Sequence, residues 1–302
     1  MNKITLDIFI QKYNLGGAVN SVKWISNGTT LSTKFISGDK SLLGHVELVK
    51  QTLPVFEVGV YDTAQLAKML GTLSDSIEFE VNEVDGTPIR FADDLDISSD
   101  GVVWFSDAST RYDFNDTIYE AMETPAAGRL LTYDLKTGET AIVLDGLHFA
   151  NGVALADDES FVLVAETYRY RVKKYWITGP KAGQTEVFAE NLPGYPDNIT
   201  RAPDGGFWIA LVNGRDKTLD TLMPSSFMRK LVFRIMRLIE FEPLWEETWA
   251  LYLDKNGKVV HALDARHSDI YAVTNVKEKN GLLFLSSLQN NALGIIPSPT
   301  SP

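Results

Sequence analysis

Three segments repeat one pattern and decide the fold: DLDISSDGVVWFSD (94–107), NGVALADDESFVLVAE (151–166) and DNITRAPDGGFWIAL (197–211). Each holds a short strand, a turn containing Asp, and a second strand rich in apolar residues. A degenerate fourth copy is YAVTNVKEKNGLLFLSSL (271–288). Paired strands that recur in this way, with further strands between the copies, are typical of β-propeller blades. The repeat predicts a mainly β fold with about four recognisable blades.

Residues 1–84 lack this repeat and have an α+β pattern. Helix-like spacing occurs in Leu6–Tyr13 and in Thr63–Leu73, where Asp62 is a candidate N-cap. Alternating strand patterns lie at Ser21–Ser26, Thr30–Ile36, His45–Val49, Val55–Tyr61 and Ile77–Val81. We therefore predict an α+β segment over residues 1–84, a propeller over 85–298 and a short tail over 299–302.

The composition excludes several kinds of chemistry. The 302-residue chain contains no cysteine, which rules out disulfides, thiolate zinc sites and cysteine nucleophiles. Its four histidines have no HExxH spacing, so a histidine–zinc site is disfavoured. The formal net charge of −12 disfavours nucleic acid as a partner, because phosphate backbones repel an acidic surface.

Two further stretches bear on membranes. Residues 1–17 contain no apolar run long enough for a signal peptide or a membrane span, so we expect a cytoplasmic location. Residues 219–247 interrupt the repeat with an amphipathic segment that carries four Lys or Arg residues between Arg229 and Arg237. Such a helix can lie on a membrane or pack over a pocket, and we favour packing across the propeller.

One repeat position collects oxygen-bearing side chains. Seven residues before the turn aspartates Asp100, Asp158 and Asp204, the residues are Asp93, Asn151 and Asp197. Equivalent positions of successive blades converge on the central axis of a propeller. Oxygen ligands without Cys or His favour a hard cation such as Ca²⁺. The alternative is that Asp and Asn merely begin strands as turn formers.

These residues also carry a family resemblance. The segments FADDLDIS, WFSDAST, GRLLTYD, FANGVALADD, VLVAET and PGYPDNITRAPDGGFWIAL resemble strictosidine synthase-like proteins and, more distantly, gluconolactonases and paraoxonases. The resemblance covers residues 85–295 and implies a six-bladed propeller with a central calcium ion. By position it implies Asp93, Asn151 and Asp197 as metal ligands, with Asn198 and Asp94 at the adjacent polar positions.

The hydrolytic members of this group imply a reaction. The metal polarises a carbonyl or phosphoryl oxygen, and a nearby carboxylate attacks or activates water. This implies Asp197 as ligand and nucleophile or base, with Asp94 and His148 as secondary catalytic candidates. Thr274 and Asn275 stand where a strictosidine synthase would carry its late-blade glutamate, so amine–aldehyde condensation is disfavoured.

The chain also departs from the family. Residues 1–84 contain no EGP-like or GPE-like motif to supply the glutamate ligand of the first blade. The segments NSVKWISNGTTLSTKFISGDKSLLGHVEL and VFEVGVYDTAQLAKMLGTLSDSIEFEV instead resemble part of a phage-type sliding DNA clamp. This resemblance and the propeller resemblance meet at NEVDGTPIRF (82–91). We interpret the chain as a chimeric join of two incomplete modules, and expect an incomplete propeller with weak calcium affinity, low stability and low activity.

Three functions remain open from the sequence. The first is a calcium-dependent hydrolase of small esters or lactones, of arylesterase or lactonase type. The second is a propeller scaffold without catalysis. The third is a sliding-clamp-like DNA-binding module, which the acidic composition disfavours. The substrate and the oligomeric state are not predicted.

Overall fold

The chain divides into two compact units in a computed structural model. An N-terminal unit comprises residues 1–80 with 135–137, and a propeller unit comprises residues 81–134 with 138–302. The structure describes residues 3–14, 19, 21–36, 43–49, 55–60, 63, 66–67, 82–215, 220–221, 224–238, 248–264 and 269–300.

The N-terminal unit packs one helix on one antiparallel sheet. Helix α1 spans Lys3–Asn14 and includes the predicted stretch Leu6–Tyr13. The strands lie within two residues of their predicted bounds: β1 (Val22–Asn27), β2 (Thr30–Ile36), β3 (Leu43–Val49) and β4 (Val55–Val60), in the order β3-β2-β1-β4. The predicted helix Thr63–Leu73, apart from residues 63, 66 and 67, and the predicted strand Ile77–Val81 lie outside the described residues.

An aromatic cluster forms the core of this unit. Phe9 and Tyr13 of α1 are fully buried, and the ring of Phe9 meets that of Trp24 edge-on with centroids 5.5 Å apart. Strand β1 alternates buried and exposed residues, so its buried face, which includes Trp24, lies against this cluster. Burial of these large rings stabilises the packing of α1 on the sheet.

Four consecutive sheets make up the blades of the propeller unit. The first three contain four strands each and the fourth contains three, with neighbouring strands antiparallel and adjacent in sequence. The first blade is β7 (Ala92–Ile97), β8 (Val102–Asp107), β9 (Gly128–Asp134) and β10 (Thr140–Leu147). The second is β11 (Ala150–Leu155), β12 (Phe161–Glu166), β13 (Arg171–Trp176) and β14 (Thr185–Ala189). The third is β15 (Gly194–Arg201), β16 (Phe207–Gly214), β17 (Trp249–Leu253) and β18 (Val259–Asp264), and the fourth is β19 (Val273–Lys279), β20 (Leu282–Ser287) and β21 (Gly294–Pro297).

The first strand of each blade faces the first strand of the next. Strand β11 contacts both β7 and β15, and β15 contacts β19, so these inner strands form a continuous series. The strand pairs that we predicted from the four sequence copies therefore form as expected: β7 with β8, β11 with β12, β15 with β16, and β19 with β20. The part of the chain that the structure describes therefore contains four blades, as predicted for an incomplete propeller.

Apolar clusters between neighbouring blades stabilise the series. One joins Trp104, Leu130 and Val153 of the first two blades, and another joins Leu163 and Ile209 of the second and third. Every residue of β12 is buried, because both faces of the second blade are covered by other blades. This explains why Phe161–Glu166 is almost continuously apolar where the N-terminal strands alternate.

The turn aspartates have a local structural role. Asp158 accepts hydrogen bonds from the backbone N–H and the hydroxyl of Ser160, and Asp204 accepts one from the backbone N–H of Gly206. Side-chain bonds to the backbone two residues later stabilise turns of this kind. The aspartates that served to align the repeat are therefore turn formers, at the opposite ends of the hairpins from Asn151 and Asp197.

The segment NEVDGTPIRF begins the propeller unit as a small hairpin. Strands β5 (Glu83–Val84) and β6 (Thr87–Pro88) pair around Asp85 and Gly86. Both turn residues have positive φ, 51° and 74°, as a tight two-residue turn between antiparallel strands requires. Val84 is buried, so the segment at which the two sequence resemblances meet is folded locally.

Two helices lie beside the blades. Helix α2 spans Thr117–Glu123 in the first blade, and helix α3 spans Ser226–Leu238 within the insertion of the third. The ring of Phe233 in α3 meets that of Tyr119 in α2 with centroids 4.8 Å apart. The predicted packing of the insertion is therefore present on one side of α3. Among the helices that the structure describes, none has the length and apolar character needed to cross a bilayer.

Candidate metal and active site

A β-bulge interrupts each inner strand at the position that the repeat singled out. The bulge places an extra residue on the inner strand, which bends the strand and redirects its side chains. Asp93, Asn151 and Asp197 each lie in such a bulge. The pairing register shifts between Ala92 and Leu95 in β7, between Ala150 and Val153 in β11, and between Pro196 and Ile199 in β15.

Asn151 and Asp197 are in direct contact across two blades. The side chain of Asn151 hydrogen-bonds the carboxylate of Asp197, and both residues are buried. Among the described residues, the Asn151 Oδ1 atom has no hydrogen-bond partner, so the amide NH₂ is the donor of this bond. Asn151 thus leaves one buried carbonyl oxygen unsatisfied next to a buried carboxylate.

Asp93 lies close enough to Asp197 for their charges to interact. Burial raises the pKa of Asp197 well above its usual range, and the charges of Asp93 and Asp94 raise it further. Desolvation by the surrounding protein raises the pKa of Asp93 to about 6, although the residue keeps access to solvent. A carboxylate whose pKa is raised by burial and by neighbouring negative charge is stabilised in the charged form by a bound cation.

Asp94 joins the first blade to the second. Its Oδ2 accepts the backbone N–H of Val153 at 2.8 Å, and its Oδ1 accepts that of Leu95 at 2.9 Å. Burial raises the pKa of Asp94 to about 7, against these two hydrogen bonds, which lower it. Two positions along, Asp96 accepts the N–H of Leu155 in the same way. The Asp94 side chain therefore links the inner strands β7 and β11 of the first two blades.

Asn198 contacts the site through its backbone. Its N–H donates to the carboxylate of Asp197, which lowers the pKa of that carboxyl against the effect of burial. The Asn198 side chain is half-buried. Within the described structure, it makes no hydrogen bond to Asp93 or Asn151. Of the four predicted ligands, Asn151 and Asp197 are in contact through their side chains, and Asp93 lies within electrostatic range of Asp197.

His148 lies three residues before Asn151, and both of its ring nitrogens are hydrogen-bonded to other residues. Nδ1 lies 3.0 Å from the carbonyl oxygen of Thr124, which can only accept, so Nδ1 carries the proton. Nε2 then accepts from Arg169 at 3.0 Å. Burial and the Arg169 charge lower the pKa of His148, so the ring is neutral at neutral pH. In this arrangement His148 orients Arg169.

Sequence reasoning missed Tyr168. This residue lies within electrostatic range of Asp93 and Asp197 and also lines a cavity. Burial raises the pKa of its hydroxyl, and the charges of Glu120, Asp197 and Asp93 raise it further, so the phenol stays protonated. A cavity of about 380 Å³ lies beside it, lined by Glu123, Thr124, Tyr168, Arg169, Pro224 and Arg229. The one available signal was the run Tyr168–Tyr170 directly after β12.

The fourth blade carries a bulge at the corresponding place. The register of β19 shifts between Val273 and Asn275. Within the described chain, the Asn275 Oδ1 atom is buried and has no hydrogen-bond partner. We interpreted Thr274 and Asn275 from the sequence only as the absence of a glutamate. The structure places Asn275, with this unsatisfied oxygen, at an inner-strand bulge of the fourth blade.

The side chains present fit a calcium ion better than a transition metal. Carboxylate and amide oxygens are calcium ligands, and the unsatisfied Oδ1 of Asn151 beside the Asp197 carboxylate has the chemistry that a hard cation requires. The described residues contain no group of three or more His, Asp or Glu side chains that could hold a metal. The group of Asp93, Asn151 and Asp197 has only two carboxylates, which favours weak binding.

Known proteins resemble the propeller unit. The family model described as strictosidine synthase matches residues 93–180. Protein STRICTOSIDINE SYNTHASE-LIKE 13 of Arabidopsis thaliana is 36% identical over 220 residues, which cover 72% of this chain and 52% of that protein. The adipocyte plasma membrane-associated protein of Salmo salar is 35% identical over 216 residues, covering 68% of this chain and 51% of that protein. The propeller segment is strictosidine synthase-like.

The match covers only part of each strictosidine synthase-like relative. The chain spans about half the length of these two curated relatives. Among solved structures, a gluconolactonase of Xanthomonas campestris superimposes with a TM-score of 0.48 at 15% identity, over 73% of this chain and 61% of that one. These similarities do not support the resemblance of residues 1–84 to a sliding DNA clamp, and we do not propose a clamp function.

Proposed function

We propose that this chain is a calcium-dependent hydrolase of small esters or lactones. The observation that supports the proposal is the buried Asn151 Oδ1, which has no hydrogen-bond partner in the described structure although Asn151 bonds Asp197. An unsatisfied buried carbonyl oxygen is destabilising unless something outside the chain binds it. A hard cation satisfies that oxygen and also offsets the repulsion between Asp93 and Asp197.

Asp93, Asn151 and Asp197 would hold the ion, and Asn275 is a further candidate oxygen donor. When bound, calcium would supply Lewis-acid polarisation of the substrate carbonyl. Asp94 and His148 have a positioning role in this proposal, because the described hydrogen bonds occupy both carboxylate oxygens of Asp94 and both ring nitrogens of His148.

Asp197 is the proposed general base. Its carboxylate accepts the proton of a water molecule as the water oxygen bonds to the acyl carbon of the ester. The tetrahedral intermediate then breaks its bond to the leaving oxygen, which takes the proton from Asp197. An ester gives a carboxylic acid and an alcohol, and a lactone gives one hydroxy acid. The hydrogen bonds from the Asn151 amide and the Asn198 N–H fix the carboxylate for this transfer.

The cavity beside Tyr168 favours a substrate that carries an acidic group. Arg169 and Arg229 both line the cavity. The lining carboxylate, Glu123, pairs with Arg111 at 2.8 Å, which offsets its charge. Guanidinium groups bind carboxylates through paired hydrogen bonds. We therefore expect an acidic ester, such as a monoaryl ester of succinic acid, to be hydrolysed with a lower KM than phenyl acetate.

Ester hydrolysis with and without calcium tests the proposal. The purified chain is assayed with phenyl acetate and with an aryl hydrogen succinate, in calcium at about 1 mM and then in excess chelator. We expect the rate to fall by at least about tenfold on chelation and to return with calcium. Asp197→Asn should lower kcat by about 100-fold or more, since the base is removed.

A matched substitution separates chemistry from folding. Asp158→Asn alters a turn aspartate that is exposed and lies at the other end of its hairpin, and Asn can still accept the bonds from Ser160. We expect Asp158→Asn to keep wild-type kcat and calcium dependence. Equal activity in wild type and Asp197→Asn, or activity unaffected by chelator, would show that the hydrolase proposal is wrong and would favour a scaffold without catalysis.

A further inference from the structure

Helix α3 presents an apolar face to solvent. Phe227, Met228, Leu231 and Ile235 are 72%, 39%, 42% and 49% exposed. Their spacing places them along one side of a helix of 3.6 residues per turn. Phe233 lies elsewhere on the helix and packs against Tyr119, which anchors that side of α3 to the propeller unit. A contiguous row of exposed large apolar side chains on such an element indicates an interaction surface.

The charge of α3 is opposite to that of the chain. Its sequence, SFMRKLVFRIMRL, contains four Lys or Arg residues and no acidic residue, whereas the whole chain has a formal net charge of −12. Arg234, next in sequence to Ile235, is exposed beside the apolar row. Apolar side chains bordered by cations on a helix that does not cross a bilayer are typical of helices that lie in a membrane interface.

We propose that the apolar face of α3 docks on an anionic lipid surface. Charge complementarity selects this partner, because Arg234 and the otherwise basic sequence of α3 attract anionic headgroups while the apolar side chains enter the interface. A second copy of the chain is disfavoured, since two helices with four cations each would repel one another when apposed. One short helix gives reversible attachment. The proposal is independent of the hydrolase function.

Vesicle sedimentation with the full chain tests the proposal. The protein is mixed with vesicles of phosphatidylcholine alone or with about 30% phosphatidylserine. We expect at least about tenfold stronger partition to the anionic vesicles, and loss of most of that binding at about 0.5 M salt because of screening. The variant Phe227→Ser/Leu231→Ser/Ile235→Ser should lose the binding, and Arg234→Gln should weaken it.

The control variant changes apolar residues of similar exposure on β18. Val259→Ser/Val260→Ser alters side chains that are 42% and 50% exposed, and it should bind anionic vesicles as wild type does. Melting curves should show that both multiple variants fold, since their side chains are exposed. Equal binding by the α3 variant and wild type, no preference for anionic vesicles, or no vesicle binding would overturn the proposal. So would a solution dimer that the α3 variant abolishes, because the face would then belong to a second copy.

Discussion

The amide of Asn151 donates a hydrogen bond to the carboxylate of Asp197, and this bond joins the inner strands of two neighbouring blades at their bulges. The carbonyl oxygen of the same amide has no hydrogen-bond partner among the described residues. The pair therefore combines a structural contact with an unsatisfied oxygen.

Asn151→Ala should remove the response to calcium. The substitution deletes the unsatisfied oxygen and leaves Asp197 without its inter-blade donor, so we expect a stability loss of about 1–3 kcal/mol in calcium. The rise in melting temperature that calcium causes in wild type should be largely absent. Asn198→Ala is the control, because it retains the backbone N–H that Asp197 accepts. If Asn198→Ala also lost the calcium response, the Asn198 side chain would be a calcium ligand, as the sequence predicted.

Asp94→Asn should lower stability more than it lowers kcat. Both Asp94 oxygens accept backbone N–H groups, and the amide nitrogen of Asn cannot replace an acceptor. We expect a loss of about 1–3 kcal/mol in denaturant unfolding, with kcat within a few-fold of wild type in the folded protein. Asp157→Asn, at an exposed turn, should change neither quantity. A large loss of kcat at unchanged stability would instead make Asp94 catalytic.

Gly152→Ala should severely destabilise the propeller unit. An added Cβ would lie 2.3 Å from the backbone oxygen of Asp197 and 2.5 Å from the backbone nitrogen of Ile199, and neither strand can move without breaking the blade contact. We expect a loss above about 3 kcal/mol, or no folded protein. At Gly183, φ is +81° but no atom lies within 4 Å of the added Cβ. Gly183→Ala should therefore lose only about 1 kcal/mol. Similar losses for both variants would contradict close packing of the inner strands.

Glu120→Gln should stabilise the protein at high pH only. Burial raises the pKa of Glu120 from 4.5 to about 7, against the hydrogen bond that it accepts from Ser109. The folded state therefore holds the proton more tightly than the unfolded state does. Native stability falls as pH rises from about 4.5 and levels off above about 7.

Gln cannot ionise, so the variant should gain on the order of 2 kcal/mol over wild type above pH ~7 and little below pH ~4.5. Melting temperatures across this range measure the difference. Glu123→Gln in the same helix is the control for the substitution itself, because it changes a carboxylate whose ion pair with Arg111 is exposed. A constant difference between Glu120→Gln and wild type at every pH would contradict the raised pKa.

The sequence predicted the blades because the responsible signals are local. Each copy contains its own turn, where Asp158 and Asp204 bond the backbone two residues later. The position seven residues earlier followed from the repeat alone, and it identified Asp93, Asn151 and Asp197. Periodicity could not reveal that these residues lie in bulges, because a bulge is a shift of pairing between two strands. Tyr168 and Asn275 were missed for a similar reason, since their surroundings come from other blades.

The sequence by itself determined the type of fold, the position of the blades and the identity of three oxygen-bearing side chains at equivalent repeat positions. Only the tertiary structure decided which hydrogen bonds those side chains make and how far they are buried. It gave Asn151 and Asp197 a shared hydrogen bond, occupied both oxygens of Asp94 with backbone donors, and left one side of α3 without protein cover over the described residues. Turn formation and strand pattern depend on neighbours in the chain, whereas hydrogen-bond satisfaction, desolvation and exposure depend on residues that folding brings together from distant positions.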